Sequence, residues 1–366
     1  MPERETIYEV LQKRGVTRRD FLKMTILLTG ALGLEYSQVE RVRVALETKP
    51  RVPVIWLEFQ DCAGCTESIS RSQNPTLTSL VLNDLTIEYH ETLMAAAGFQ
   101  AEGAKEAAME QYYGEYVLVV EGSIPQGAGG VYCTVGGRTA LDILRETAEG
   151  AFAVIAVGNC ASFGGLPKAS PNPTDAVGVM ELVTDKPVIN IPGCPAIPEA
   201  MTNTIAHIIA LGSIPELDYL KRPMAFYSHT IHDRCLRRGF YEAGLFADSF
   251  GDEGYRKGYC LYKLGCKGPT TYNACSSLKW NGGTSFPVES GHPCLGCSEP
   301  NFWDNGGFYQ GQSAPLQRPE VSVVGIAAGA GVVLGAGAAA LNASAKKKAR
   351  EQAKAASHQK EEEKEE

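Results

Sequence analysis

The stretch Val52-Pro53-Val54-Ile55-Trp56-Leu57-Glu58-Phe59-Gln60-Asp61-Cys62-Ala63-Gly64-Cys65 sets the architecture. Its first eight residues form a short β-rich run, and the run ends in a Cys-x-x-Cys pair. Further β-rich runs lie outward at residues 86–90, 116–120, 153–157 and 188–191. Residues 104–113, 138–149 and 199–211, placed between or after them, have helical spacing and few breakers.

Such alternation predicts an α/β fold over residues 50–215, a parallel sheet flanked by helices in the manner of flavodoxin. Ligands of such sheets collect beyond the carboxyl ends of the strands. Cys62 and Cys65 follow the first run, Glu121 the third, Cys160 the fourth and Cys194 the fifth. Four cysteines far apart in sequence are thus expected at one edge of the sheet, a bias that scattered structural cysteines would not show. After Leu220 the chain turns to Gly, Pro, Tyr and Cys with little periodicity. Residues 216–318 therefore read as a loop-rich second domain held together by what its cysteines bind.

The chain has 366 residues and eleven cysteines, all between Cys62 and Cys297. An odd number cannot pair completely into disulfides. The net charge of -8 argues against a nucleic-acid partner, which would call for a basic stripe. Cys62, Cys65, Cys160 and Cys194 are enough thiolates for one [4Fe–4S] cluster. His232, Cys235, Cys260 and Cys266 make a second set of four, and Cys275, Cys294 and Cys297 a set of three. Three thiolates suit a [3Fe–4S] cluster, which lacks one iron corner. Cys133 joins no set and reads as a small buried hydrophobe. Gly136, Gly137 and Arg138 lack the G-x-G-x-x-G pattern of a nucleotide site. His229 and His292 lie near sets that already have their ligands, and read as structural groups.

The motif Trp56-Leu57-Glu58-Phe59-Gln60-Asp61-Cys62-Ala63-Gly64-Cys65-Thr66-Glu67-Ser68 resembles the first cluster motif of [NiFe] hydrogenase small subunits. Gly158-Asn159-Cys160-Ala161-Ser162-Phe163-Gly164-Gly165 and Ile191-Pro192-Gly193-Cys194-Pro195 are similar to its second and third parts. The most distinctive stretch is Gly291-His292-Pro293-Cys294-Leu295-Gly296-Cys297-Ser298-Glu299-Pro300-Asn301-Phe302-Trp303-Asp304. The resemblance implies a proximal [4Fe–4S] cluster on Cys62, Cys65, Cys160 and Cys194. It also implies a medial [3Fe–4S] cluster on Cys275, Cys294 and Cys297, and a distal [4Fe–4S] cluster on His232, Cys235, Cys260 and Cys266. Pro287 stands where relatives with a four-iron medial cluster carry a fourth cysteine. Gly64 and Gly165 stand where oxygen-tolerant relatives carry two additional cysteines, which implies a conventional proximal cubane. The nickel–iron centre would belong to a separate large subunit. Glu121, at a strand end beside the cluster edge, fits a proton relay or a structural cap.

The two ends of the chain speak of location. Thr17-Arg18-Arg19-Asp20-Phe21-Leu22-Lys23, followed by a short apolar run to Leu34, looks like a twin-arginine export signal, so residues 1–49 read as signal region and linker. Residues 321–341 are apolar apart from Ser322, about the 20 residues of one bilayer crossing. Lys346, Lys347, Lys348 and Arg350 follow, and the positive-inside rule puts that flank in the cytoplasm. Residues 319–345 are thus expected to anchor the chain in the inner membrane, with the globular part periplasmic and residues 346–366 a charged cytoplasmic tail. A membrane cytochrome b or another quinone-linked subunit would take the electrons. Two competing readings are an iron–sulfur relay of another oxidoreductase, related to complex I, and a surface protein stabilised by zinc or disulfides. The first would share only the proximal-cluster portion of this chain, and the second would hold no iron.

Overall fold

The computed structural model of the protein describes residues 5–32 and 34–310. Three helices come first: α1 (Ile7–Lys13), α2 (Arg18–Ala31) and α3 (Val39–Thr48). Then follow β1 (Val52–Glu58), α4 (Gly64–Ser70), β2 (Leu85–His90), α5 (Phe99–Gln111), β3 (Val117–Glu121) and α6 (Ala140–Glu149). Next come β4 (Ala153–Val157), α7 (Gly158–Phe163), β5 (Val188–Ile191) and α8 (Pro198–Leu211), and much later a single turn, α9 (Cys275–Leu278).

The five strands form one parallel sheet in the order β2-β1-β3-β4-β5. That is the flavodoxin order, with its switch point between β1 and β3. Every residue of β3 and β4 is buried, as a sheet covered on both faces requires. Alternate side chains feed two cores. Val54, Trp56, Val117, Val119, Ile155 and Ile189 face α1, α3, α4 and α8. Ile55, Leu57, Leu118, Val120, Val154 and Ala156 face α5 and α6. Helix α6 shows how sequence sets packing. Thr139 caps it by accepting from the Asp142 amide at 3.2 Å, and Ala140, Ile143, Leu144, Thr147 and Ala148 place their side chains on one buried stripe.

The strands at 153–157 and 188–191 lie where the sequence puts them. Helix α5 starts at Phe99 rather than at residue 104, because the break falls at Gly98 (φ 56°) while Gly103 continues the helix. Pairing aligns the carboxyl ends of the strands in one row: Glu58 opposite Glu121, Glu121 opposite Val157, and Val157 opposite Ile191. The loops that carry Cys62, Cys65, Cys160 and Cys194 all leave from this row.

Residues 5–48 form helices packed against one face of the sheet, burying Ile7, Leu11, Phe21, Val42 and Leu46 in the same core as β1. Thr17 caps α2, and Phe21 is fully buried, whereas the Arg18 side chain is 66% exposed. Beyond α8 the chain is a series of turns around a small core of Ile231, Ala247, Leu261, Leu264, Cys266, Phe286 and Val288. All described residues belong to one compact unit. No helix among them is long and apolar enough to cross a membrane. The expected anchor at 319–345 and the tail at 346–366 lie outside the described residues.

Candidate metal centres

The first site grows from the row of strand ends. After β1 the chain turns at Ala63, which has a left-handed backbone (φ 55°) and whose amide bonds the Asp61 carboxylate at 3.2 Å. This turn starts α4 and brings Cys65 below β3. There Glu121 accepts from the amides of Cys65 (2.8 Å) and Thr66 (3.0 Å) and from the Thr66 hydroxyl (2.7 Å). The Glu121 carboxylate therefore caps the turn that presents Cys65. Burial lifts its pKa to about 7, against the pull of these same bonds. Glu58, one strand over, accepts from the Thr66 and Thr92 hydroxyls and from the Thr92 amide.

Cys160 sits in the first turn of α7 and Cys194 in the loop after β5, so Cys62, Cys65, Cys160 and Cys194 line one cavity of about 200 Å³. Gly158 makes this convergence possible. With φ at +79°, a Cβ there would stand 2.5 Å from the Cys65 sulfur. Gly165 is just as tight, since a Cβ would meet the Cys160 sulfur at 2.6 Å. A side chain at that position would have to displace a ligand.

The second site belongs to the turns of the carboxyl-terminal half. Cys275, at the start of α9, together with Cys294 and Cys297 lines a cavity of about 170 Å³, walled by Ile231, Phe286, Pro287, Val288 and Leu295. Pro287 thus stands at the wall, where it offers no ligand atom. His292 bonds outward through Nε2 to the Tyr309 hydroxyl at 2.7 Å. The third site is tighter and gathers His232, Cys235, Cys260 and Cys266 beside Ile231 and Val288. Tyr241 meets the His232 ring edge-on at 4.5 Å, and the buried Arg237 guanidinium donates to the carbonyls of Val288 (2.9 Å) and Tyr259 (2.8 Å).

The chemistry of the donors decides what these cavities can hold. All eleven cysteines are free. Burial raises the thiols of Cys160 and Cys260 to about 11 and those of Cys194 and Cys275 to about 12, so as free thiols they are poor nucleophiles. A bound metal removes such protons outright. Among the described residues only Glu58, Asp61 and Glu121 bring three ligand atoms within 4.8 Å of one another. Thiolates around one zinc ion would lie about 3.8 Å apart. The sulfur sets are too open for that and fit a polynuclear cluster.

All eleven ligand residues expected from the sequence come together as four, three and four around the three cavities. Cys133 lies apart, half-buried at the margin of the second core, with its thiol raised to about 11 by burial. Arg138 pairs with Glu146 at 2.6 Å. Sequence reasoning missed Asn159, Arg222 and Arg237, each of which has at least one partner remote in the chain. Arg222 is 1% exposed, bonds Asp218 at 2.8 Å and Glu299 at 3.1 Å, and lies over the rings of Tyr227 and Tyr272. A charged residue ahead of a proline in a polar turn gave no sign of that burial.

Two family models match the chain. Residues 227–310 match the model for the C-terminal part of the NiFe/NiFeSe hydrogenase small subunit, and residues 62–208 match that of the NADH ubiquinone oxidoreductase 20 Kd subunit. The second match stops at the sheet half, so the complex-I reading accounts for the first site alone. The uptake hydrogenase small subunit of Azotobacter vinelandii is 51% identical over 310 residues, 85% of this chain and 87% of that protein. The hydrogenase-1 small chain of Escherichia coli is 48% identical over 309 residues, 84% of this chain and 83% of the relative. Among solved structures, the [NiFeSe] hydrogenase of Desulfovibrio vulgaris Hildenborough aligns with a TM-score of 0.67 and 36% identity, covering 72% of this chain and 99% of that one. With about half of the aligned residues identical over 85% of this chain in the Azotobacter vinelandii relative, this chain belongs to the small subunits of uptake [NiFe] hydrogenases, electron-transfer subunits whose catalytic centre resides in the large subunit.

Proposed function

We propose that the chain holds a [4Fe–4S] cluster on Cys62, Cys65, Cys160 and Cys194, a [3Fe–4S] cluster on Cys275, Cys294 and Cys297, and a second [4Fe–4S] cluster on His232, Cys235, Cys260 and Cys266. Such clusters, when bound, accept and release single electrons. The observation that carries this reading is the sharing of walls. Cys194 lines both the first and second cavities, and Ile231 and Val288 line both the second and third. Three sites in series make a path from the large subunit's nickel–iron centre to an outside acceptor. Cys62 and Cys194 are the exposed ligands of the first site, on the face where the large subunit would seat. Glu121, buried at the end of β3 beside Cys65, caps α4 and is the carboxyl placed to relay a proton at this site. His232 puts a neutral ligand on the outermost site and makes it less negative than an all-thiolate one.

Purified protein is expected to contain about eleven iron atoms and about twelve inorganic sulfides per chain, and to show a three-iron EPR signal when oxidised. Zinc in place of iron, or no inorganic sulfide, would sink the assignment. Pro287→Cys supplies the missing thiolate at the wall of the second cavity. The expected result is loss of the three-iron signal, gain of one iron and a lower midpoint potential, read by EPR-monitored redox titration.

The same proposal places the chain in the inner membrane by its span at 319–345, exported by the twin-arginine route, facing the periplasm and passing electrons to a cytochrome b or another quinone-linked subunit. Truncation after residue 318 is expected to move the protein from membranes to the soluble periplasmic fraction with hydrogen-dependent dye reduction retained. Replacing Arg18 and Arg19 together by Lys is expected to keep it in the cytoplasm. Immunoblots of fractionated cells read both outcomes, and membrane retention of the truncated chain would argue against the anchor.

A further inference from the structure

Asn159 lies directly before Cys160 and is 2% exposed. Its backbone amide donates to the Gly193 carbonyl at 2.7 Å, the residue before Cys194. Its side-chain Nδ2 donates to the carbonyls of Cys297 and Glu299, both at 3.0 Å. One residue therefore ties two ligand loops of the first site to a ligand loop of the second. Both amide hydrogens have acceptors, which fixes which way the amide faces, and Oδ1 is left buried with no partner among protein groups. An unpaired buried acceptor opposes folding. An apolar residue of similar size would avoid that penalty, so the two donors account for an asparagine here.

The outer junction is held by other residues. The Cys294 amide donates to the Cys266 sulfur at 3.4 Å, and the Lys267 amide to the Cys294 carbonyl at 2.8 Å. There one amide-to-sulfur bond and one backbone bond join the ligand loops of the second and third sites.

We propose that Asn159 is a positioning residue of the inner junction: its side-chain amide holds the gap that an electron crosses between the first and second clusters, and among the described residues it makes no contact at the outer gap. The inference rests on the cluster assignment above. Asn159→Ala leaves all eleven ligands in place, so iron content and midpoint potentials are expected to stay near those of the wild type. In fully reduced protein both clusters at the inner junction are paramagnetic, and their spin–spin splitting in the EPR spectrum is expected to shrink. The splitting from the outer pair is the internal control and is expected to persist. In rapid freeze–quench, the rate at which electrons from hydrogen reach the three-iron site is expected to fall roughly tenfold, since small misplacements of reacting groups slow reactions on this scale. Asn159→Asp keeps shape and volume but turns acceptors toward two carbonyls, so it is expected to act in the same direction and at least as strongly. Asn159→Ser, with one donor, stands in where either variant loads poorly, and all readings are taken per loaded cluster. Absence of a three-iron signal from the wild type would overturn the cluster assignment and this inference with it. Unchanged inner splitting and rate in loaded variants would overturn the role of Asn159 alone.

Discussion

Arg222→Ala is expected to destabilise the protein by about 3–5 kcal/mol, the usual loss when one member of a buried ion pair is removed and its partners stay. The guanidinium is held by Asp218 and Glu299, whose side chains are only 11% and 19% exposed, so two carboxylates would be left without their cation. The loss should concentrate near the second site. Glu299 is two residues from Cys297, and its carboxylate also accepts from the Tyr272 amide at 2.6 Å. Chemical denaturation followed by fluorescence measures the stability, and spin counting of the three-iron signal proposed for the second site measures occupancy. Arg222→Lys keeps the charge but cannot reach both carboxylates with a planar fork, and is expected to fall between alanine and wild type. A change within 0.5 kcal/mol for alanine, of the size ordinary surface substitutions produce, would show that the pair is dispensable.

Withholding iron is expected to act on one half of the molecule. The sheet buries two extensive apolar faces and needs no ligand to do so. The turns after α8 have a core of seven residues, one of them Cys266, with Cys235, Cys275 and Cys294 packed at its edge. For so small a core, metal binding supplies folding free energy on the order of 10 kcal/mol per site. Hydrogen exchange on protein from iron-starved cells is thus expected to show β1, β3 and β4 still protected while residues 216–310 exchange freely. Proteolysis should nick the same region. Uniform protection along the chain would mean that the turns fold without their clusters.

The sheet and its cysteines were legible in the sequence because both follow local rules. Each strand is a short β-rich run, and the parallel order sends the residues after each run to a common edge, which is why Cys160 and Cys194 could be assigned with Cys62 and Cys65. The start of α5 was harder, since Gly98 and Gly103 look alike in sequence and only one ends up with positive φ. The packing of α1 to α3 was not foreseen, because the arginine pair drew attention to targeting while Ile7, Leu11 and Val42 were making an ordinary core stripe. Asn159 and Arg222 were out of reach altogether. Their roles come from acceptors at Cys297 and Glu299, more than seventy residues away in both cases, and no periodicity reports a hydrogen bond of that span.

Walls held in common by neighbouring cavities have a consequence for how such a protein can vary. Lengthening one interval along the series would deform the next, because Cys194, Ile231 and Val288 each belong to two sites at once. Spacing is thereby locked, and adjustment of the downhill slope for electrons is left to composition: proline or cysteine at 287, imidazole or thiolate at 232.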